Sequence, residues 1–285
     1  MNFKKILLLF LAAALCLSLG ACGETPDEDE ALRKDLSAMS DQELTATLLA
    51  NYEAYEEPGV FIGEVSWLYR SGDSVIASMT GSVRSTGAAR TMTRTASVGE
   101  STRTETYTYV GGVYYFHHDK IKVSAEPDAV SAYFAARYPQ FGRVSEYYFA
   151  RKDLLRSEDG SYLLVLSEPS ADVAPSADIT GPLTAAGNET PPVTLSGVID
   201  LYLTLCFSAE GKLTGQTLGF DCKMTADGIE TEGEVLFQFR ITSTDPVQNV
   251  ISAPDGGDAF ETPDTDPFAP PAAPGTESEP DGEEG

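Results

Sequence analysis

The chain contains few of the residues that usually carry catalysis or bind metal ions. It has 2 histidines and 4 cysteines among 285 residues. His117 and His118 are neighbours in a predicted strand, so their side chains point to opposite faces and cannot share a metal ion. No Cys-rich zinc spacing, Gly-rich phosphate loop or G-x-S-x-G elbow occurs. We therefore expect no metal site, no cofactor and no enzymatic activity; a hydrolase would need a pair of carboxylates in a cleft.

Basic residues are also scarce, and this excludes nucleic-acid binding. The chain has 19 basic and 44 acidic residues, for a formal net charge of -25, whereas nucleic-acid binding needs a basic surface. Ten acidic residues and no basic one fall in residues 253–285, a Pro- and Gly-rich segment that we expect to be a disordered tail. Residues 22–35 are predicted to be an acidic linker.

The one long apolar run lies at the N terminus and predicts export. Two lysines precede apolar residues 6–15, a pattern typical of a signal peptide. The tetrapeptide Leu19-Gly20-Ala21-Cys22 follows, and it resembles the lipobox of bacterial lipoproteins, in which the signal is cut before the cysteine. The resemblance implies that residues 1–21 are removed and that Cys22 receives the acyl anchor. The protein is then expected on the extracytoplasmic face of the cell membrane, attached by lipid such as palmitate.

The first folded element is predicted to be a helix. Ser40 and Glu43 form the pattern of a capping box, in which each side chain satisfies a free backbone donor of the first turn. Pro58-Gly59 is expected to end the helix. Its apolar stripe contains Leu44, Leu48, Tyr52 and Tyr55.

After this helix the apolar residues recur at every second position, which predicts antiparallel strands. We interpret Ser71-Gly72-Asp73 as a three-residue loop. The loop places Tyr69 opposite Val75 and Trp67 opposite Ala77, so that the apolar side chains of both strands share one face.

Further hairpins and a second helix follow. Gly111-Gly112 predicts a two-residue turn, and Asp159-Gly160 predicts another between two later strands. Pro127 suits the first turn of a helix that runs to about Tyr138. The aromatic residues that the first of these turns sets on one surface are Tyr107, Tyr109, Tyr114 and Phe116.

Residues 199–241 hold the clearest strand pattern. Apolar residues take odd positions before Glu210-Gly211 and even positions after it, and a two-residue turn there accounts for the change. Asp227-Gly228 predicts a second two-residue turn of the same kind. The cross-strand pairs that the two turns predict are Leu203–Leu218, Leu201–Phe220, Phe220–Val235 and Leu218–Phe237.

The same register separates the two cysteines of the mature domain. Cys206 falls opposite Gly215 on the polar face, and Cys222 falls opposite Ile199 on the apolar face. This is beyond the reach of a disulfide, so we expect two free thiols.

These patterns predict a mostly antiparallel α+β fold, with a curved half-barrel sheet that wraps one or two helices. We expect a single monomeric domain over residues 36–252, interrupted by a flexible insertion at 168–192. Two explanations account for the large number of apolar side chains on the strands. Either the helices cover them and close an ordinary core, or the sheet leaves a cavity for an apolar ligand. The residues expected to line such a cavity are Trp67, Tyr109, Tyr114, Phe116, Phe134, Leu203, Phe220 and Phe237.

Two groups of basic residues stand out in this acidic chain: Arg84, Arg90, Arg94 and Arg103, and then Arg137, Arg143, Arg151, Lys152 and Arg156. We interpret most of them as belonging to solvated strand faces. The alternative is a patch for lipid headgroups or anionic wall polymers.

The order of elements resembles that of lipoproteins of the LolA and LppX/LprG type: lipobox, acidic linker, amphipathic helix, strands, a central helix and more hairpins. The phrase Tyr109-Val110-Gly111-Gly112-Val113-Tyr114-Tyr115 is part of the likeness. The resemblance implies a protein that holds a lipid or other apolar molecule in the concave face, as a carrier or a sensor. The alternative is a non-catalytic envelope protein with a filled core, which presents its wet face or its insertion to a partner.

Overall fold

A computed structural model of the chain describes residues 36–137, 144–168, 193–226, 229–264 and Phe268. The predicted signal peptide, lipobox and acidic linker lie outside these ranges, as does the predicted insertion from residue 169 onward. The described residues form helices α1 (Asp41–Glu53) and α2 (Pro127–Arg137) and short 3-10 helices at Glu146–Tyr148 and Gly257–Ala259. The strands are β1 (Val60–Ser71), β2 (Ser74–Thr86), β3 (Arg90–Val98), β4 (Ser101–Val110), β5 (Val113–Phe116), β6 (Ile121–Ser124), β7 (Arg151–Arg156), β8 (Tyr162–Glu168), β9 (Val193–Phe207), β10 (Leu213–Ala226) and β11 (Ile229–Ser243).

These strands make one antiparallel sheet in the order β6-β5-β4-β3-β2-β1-β11-β10-β9-β8-β7. It consists of two meanders, β1–β6 and β7–β11, which are joined by pairing of β1 with β11. Strands β6 and β7 stand at opposite edges and are not paired with each other, so the sheet is open. Side chains of α1 and α2 pack into the same apolar core as one face of the sheet. The predicted fold class is confirmed.

The register of the second meander is as predicted. Leu203 faces Leu218 and Leu201 faces Phe220 across β9 and β10, and the pairs across β10 and β11 also agree. The turn Asp227-Gly228 lies outside the described residues, but the pairing that it implied is present. The hairpin at Gly111-Gly112 is also confirmed, with positive φ angles of 60° and 77° at the two glycines.

The predicted pairing of β1 with β2 is wrong by two positions. Tyr69 faces Ala77 and Trp67 faces Met79. Ser71 pairs with Ser74, so the turn has two residues, and a β-bulge at Ile76 follows it. A two-residue turn alone would place the apolar side chains of β1 and β2 on opposite faces of the sheet. The extra residue in the bulge brings them back to one face. The apolar side chains therefore share one face, as expected, but with shifted partners.

Helix α1 begins at the predicted capping box. The Glu43 amide donates to Ser40 Oγ and the Ser40 amide donates to the Glu43 carboxylate. The helix ends at Glu53, before Pro58-Gly59, because Ala54 already leaves the helical conformation. Its buried residues are Leu44, Leu48, Leu49 and Tyr52, so Tyr55 lies beyond the helical stripe.

Side chains fasten α1 to the sheet at both ends. Arg156 of β7 donates to the Asp41 carboxylate and to the Met39 carbonyl at 2.8 Å. Asn51 donates to the carbonyl of Gly211 in the β9–β10 turn at 3.0 Å. These contacts hold the helix over strands β7–β10.

The expectation of two free thiols holds for one cysteine and is wrong for the other. Cys222 is free and buried, and it faces Val198 rather than Ile199 because a bulge interrupts β9. Cys206 faces Gly215, as predicted, but it is disulfide-bonded. The two cysteines are not bonded to each other.

The segment predicted to be a disordered tail is ordered in its first part. Residues 253–264 have defined positions, and Glu261 forms a parallel bridge with Ile121 on edge strand β6. Phe260 packs on Tyr115, with 5.3 Å between ring centroids. The backbone hydrogen bonds and apolar contacts of these residues offset the entropy of ordering, which composition alone did not indicate.

Candidate ligand-binding face

One row of cross-strand neighbours crosses the inner face of the sheet, the face that packs against the helices. At its centre Trp67 of β1 lies beside Phe237 of β11. A basic residue stands at each end, Arg103 on β4 and Lys152 on β7. We call this the central row. Its apolar members, on seven consecutive strands from β3 to β8, are Ala96, Met79, Trp67, Phe237, Leu218, Leu203 and Leu166.

Most of the residues predicted to line a ligand cavity are buried on this face. Tyr109 is half-buried against the core, and the side chain of Phe134 lies outside the described part of the structure. Trp67 is 6% exposed, and the remaining five residues of the predicted set are no more exposed than Trp67. The buried members of the set are Trp67, Tyr114, Phe116, Leu203, Phe220 and Phe237.

The structure divides these residues into two groups. Trp67, Leu203, Phe220 and Phe237 lie on the central strands, whereas Tyr114 and Phe116 belong to an aromatic cluster on the β4–β5 hairpin. In that cluster the Tyr114 and Phe116 rings are 4.6 Å apart. The other rings of the cluster are Tyr107, Tyr133 of α2, and Phe268. Phe268 comes from the segment predicted to be a disordered tail.

Trp67 brings a polar atom into the apolar row. Its ring packs edge-on against Tyr69 at 5.1 Å. Its Nε1–H donor is buried and finds no acceptor among the described residues. A buried donor without an acceptor costs about 1–3 kcal/mol. An acceptor atom from outside the described residues would remove this cost.

A charged cluster lies on the inner face beside the central row. Arg94 of β3 faces Glu105 of β4 and donates to its Oε2 atom at 2.7 Å. Tyr107 Oη donates to the same oxygen at 2.5 Å. Arg103 reaches the other oxygen, with 2.8 Å from its Nε atom to Glu105 Oε1. Because Tyr107 also belongs to the aromatic cluster, the two clusters are continuous.

The surroundings of Arg94 and Glu105 hold both groups charged. Burial raises the pKa of Glu105, but the hydrogen bond from Tyr107 and the charges of Arg94 and Arg103 outweigh it, so the pKa lies below its ordinary value. Burial lowers the pKa of Arg94, but Glu105 together with Tyr107 and Tyr133 outweighs it, so the pKa lies above its ordinary value. Burial and the bond to Glu105 raise the pKa of the Tyr107 hydroxyl. An ion pair is therefore maintained in an apolar setting.

The four arginines of this region thus have different surroundings. Arg84 is exposed on the outer face, as expected. Arg90 pairs with Glu57 at 2.6 Å. Arg94 is an exception to the interpretation as solvated strand faces, because it is buried against Glu105. The alternation of the strands did indicate this burial, since Arg94 lies on the same face of β3 as Met92 and Glu105 lies on the same face of β4 as Tyr107. The prediction was not made because charged residues are seldom buried.

The outer face of β3 and β4 is covered with paired hydroxyl groups. Both strands lie inside the sheet, with a hydrogen-bonded neighbour on each side. Four cross-strand rungs join hydroxyl oxygens at 2.8–3.0 Å: Thr91–Thr108, Thr93–Thr106, Thr95–Thr104 and Ser97–Thr102. A groove of about 450 Å³ crosses this face toward Gln238 and Arg240 of β11.

The described residues lack two further features. They contain no group of three or more His, Cys, Asp or Glu side chains arranged to hold a metal ion. No helix among them has the length and apolar character needed to cross a membrane.

The fold and this face together define a class: an open, mostly antiparallel sheet with helices packed on an apolar inner face that carries one charged cluster. Comparison with known proteins adds little. No family model matches the chain, and no curated protein matches it.

Two solved structures illustrate the distant likenesses. A LolA superfamily protein from Nitrosomonas europaea is 13% identical over 73% of this chain and 97% of its own, with a TM-score of 0.25. An S-type phycobiliprotein lyase from Guillardia theta is 6% identical over 77% of this chain and 100% of its own, with a TM-score of 0.20. Similarity at this level decides neither family nor function.

Proposed function

We propose that this protein is a membrane-anchored, non-catalytic lipoprotein that binds a lipid or other apolar molecule on the concave inner face of its sheet, as a carrier or a sensor. The central row provides a continuous apolar path across seven strands. The edges at β6 and β7 are not hydrogen-bonded to each other, so the sheet that carries this row is not closed into a barrel.

The buried donor of Trp67 carries this proposal. An ordinary core residue at this position would be purely apolar, since an unpaired N–H is a cost without return. A ligand that is apolar along most of its length and offers one acceptor oxygen matches both the row and the indole. Acyl esters have this composition.

Trp67 also provides the test, because it is the only tryptophan in the chain. The full chain carrying Cys22→Ser is stripped of lipid and titrated with lysophosphatidylcholine whose acyl chain bears bromine, a contact quencher of indole fluorescence. We expect saturable quenching, and none with the unbrominated lipid. Absence of quenching at concentrations where the free lipid is monomeric would overturn the proposal.

The anchor is tested separately. Cells that express the protein are labelled with radioactive palmitate, and the labelled chain is recovered. We expect Cys22→Ser to abolish the label and Cys222→Ala, the control at a cysteine that is free of any disulfide, to leave it intact. Equal labelling of both variants contradicts the anchor.

One observation favours a second candidate function, an envelope interaction protein with a filled core. The hydroxyl rungs on the outer face of β3 and β4 offer donors and acceptors to a polar partner, while the candidate ligand residues are already buried. Native mass spectrometry of the purified full chain separates the two functions. Co-purified lipid supports the binding protein, and a bare chain that also fails the quenching test supports the interaction protein.

A further inference from the structure

We propose that Arg103 binds the anionic headgroup of the ligand, so that the preferred ligands are acyl esters with a negatively charged, phosphate-type head rather than neutral or zwitterionic lipids. The inference rests on the proposed function, because it orients a ligand whose acyl chain lies along the central row.

The position of Arg103 in the row is the first argument. Only Ala96 and Met79 stand between it and Trp67. Three strand spacings correspond to about 14 Å between the Cα positions of Arg103 and Trp67. Both side chains are long, so their polar groups can approach one another more closely than this. A phosphate at Arg103 and an ester carbonyl at Trp67 leave the acyl chain to extend over β11 in the direction of β8.

The second argument is the availability of the Arg103 guanidinium. The Oε2 atom of Glu105 is occupied by Arg94 and Tyr107, and Arg103 meets only Oε1, through Nε. The side chain of Arg103 is 52% exposed, compared with 11% for Arg94 and 9% for Glu105. Since Arg94 already neutralises Glu105, the carboxylate does not prevent a second anion from binding at the outer nitrogens of Arg103. A guanidinium binds a phosphate through two parallel hydrogen bonds.

The third argument selects this end of the row over the other. Lys152 also ends the row, but its ammonium group forms an ion pair with Glu146, and no second base among the described residues shares that carboxylate. Lys152 offers a point charge without the planar fork of an arginine. The headgroup is therefore placed at β4 and the methyl end of the chain toward β8.

The binding experiment compares two lipids with the same acyl chain, lysophosphatidylglycerol and lysophosphatidylcholine, on the full chain carrying Cys22→Ser. We expect the wild-type domain to bind the anionic lipid about tenfold more tightly, the effect of hydrogen bonds to one charged group. Arg103→Gln should remove this preference and leave the affinity for lysophosphatidylcholine unchanged. Arg103→Lys should retain part of it. Inorganic phosphate at the same concentration should not displace either lipid.

Arg84→Gln is the matched control. It removes the same charge from the outer face of the adjacent hairpin, and it should keep the full preference. Equal affinity of the wild type for the two lipids overturns the inference, as does an equal loss in Arg103→Gln and Arg84→Gln. In both cases binding of lysophosphatidylcholine still supports the proposed function, so the two failures are distinguishable.

A second readout tests the orientation without any substitution. Lysophosphatidylglycerol is prepared with bromine next to the ester or at the methyl end of the chain. With the head at Arg103, bromine near the ester should quench Trp67 more strongly. Stronger quenching by the methyl-end bromine places the head at Lys152 and overturns the inference.

Discussion

The ring of Tyr202 on β9 lies against Gly219, its cross-strand neighbour on β10. A Cβ atom added to Gly219 would collide with the Cζ and Oη atoms of Tyr202. The ring takes the place of the missing side chain on the outer face, and burial raises the pKa of its hydroxyl. This glycine is therefore required by packing, since its φ is ordinary for a strand.

Gly219→Ala is expected to lower the free energy of unfolding by about 1–3 kcal/mol, because the ring has to move from its place. Urea unfolding measures the change. Gly197→Ala on the neighbouring strand is the control, since a Cβ there meets nothing within 4 Å. In a Tyr202→Ala background the cost of Gly219→Ala should vanish; if it persists, the collision is not its cause.

Glu105→Gln is expected to cost about 3 kcal/mol or more, because it leaves Arg94 buried without its counter-charge. Glu64→Gln removes a carboxylate from the exposed pair with Arg240, where the Glu64 side chain is 58% exposed, and should cost less than about 1 kcal/mol. Similar losses in the two variants contradict the buried ion pair.

Acid provides an independent measurement of the same pair. The pKa of Glu105 is below its ordinary value of 4.5 in the folded chain. Its contribution to stability is present above pH 4.5 and is lost as the pH falls toward the folded pKa. The difference in unfolding free energy between wild type and Glu105→Gln should therefore shrink below pH 4.5. A constant difference across this range contradicts the assignment.

Cys222 should resist alkylation in the native protein. Burial, and then the nearby Asp221 charge, raises the pKa of its thiol to about 12, so at pH 8 roughly one molecule in ten thousand carries the thiolate. We expect Cys222 to react with N-ethylmaleimide only after unfolding, measured by mass spectrometry of the peptide that contains it. Rapid native labelling, absent in Cys222→Ala, would show that the inner face is open to solvent.

The ordered part of the C-terminal segment should protect edge strand β6. The amide of Lys122 donates to the Glu261 carbonyl at 2.8 Å, and the Glu261 amide donates to the Lys120 carbonyl at 2.8 Å. Phe260 holds this pairing against Tyr115. Phe260→Ala is expected to speed hydrogen exchange of the Lys122 amide by roughly tenfold, since local opening becomes easier. Val250→Ala, at a side chain that is 77% exposed, should leave it unchanged.

Local chemistry explains which elements could be predicted. The capping box at Ser40 specified the start of α1, and Glu210-Gly211 specified the pairing of β9 with β10, because both signals act over a few residues. The bulge at Ile76 escaped prediction because a three-residue loop and a two-residue turn with a bulge give the same side-chain parity. The helix end at Glu53 was missed because Pro58-Gly59 is a stronger signal than Ala54.

The candidate site was predicted only in its apolar part. Alternation placed Trp67, Phe220 and Phe237 on one face, and the structure agrees. Arg94 and Glu105 were missed because a single charged residue is usually exposed. Only their cross-strand pairing offsets the free energy of desolvation that burial of each charge costs.

The sequence by itself determined the alternation of the strands and the turns at Gly111-Gly112 and Glu210-Gly211, since these depend on residues close along the chain. Tertiary structure decided what lies far apart in sequence: the pairing of β1 with β11, the counter-charge for Arg94, and the docking of residues 253–264 on edge strand β6. The pairing of β1 with β11 sets Trp67 beside Phe237, and it joins the apolar residues of the two meanders in one row. Its physical reason is that long-range pairing is selected by the total apolar area it buries, a quantity that no local pattern contains.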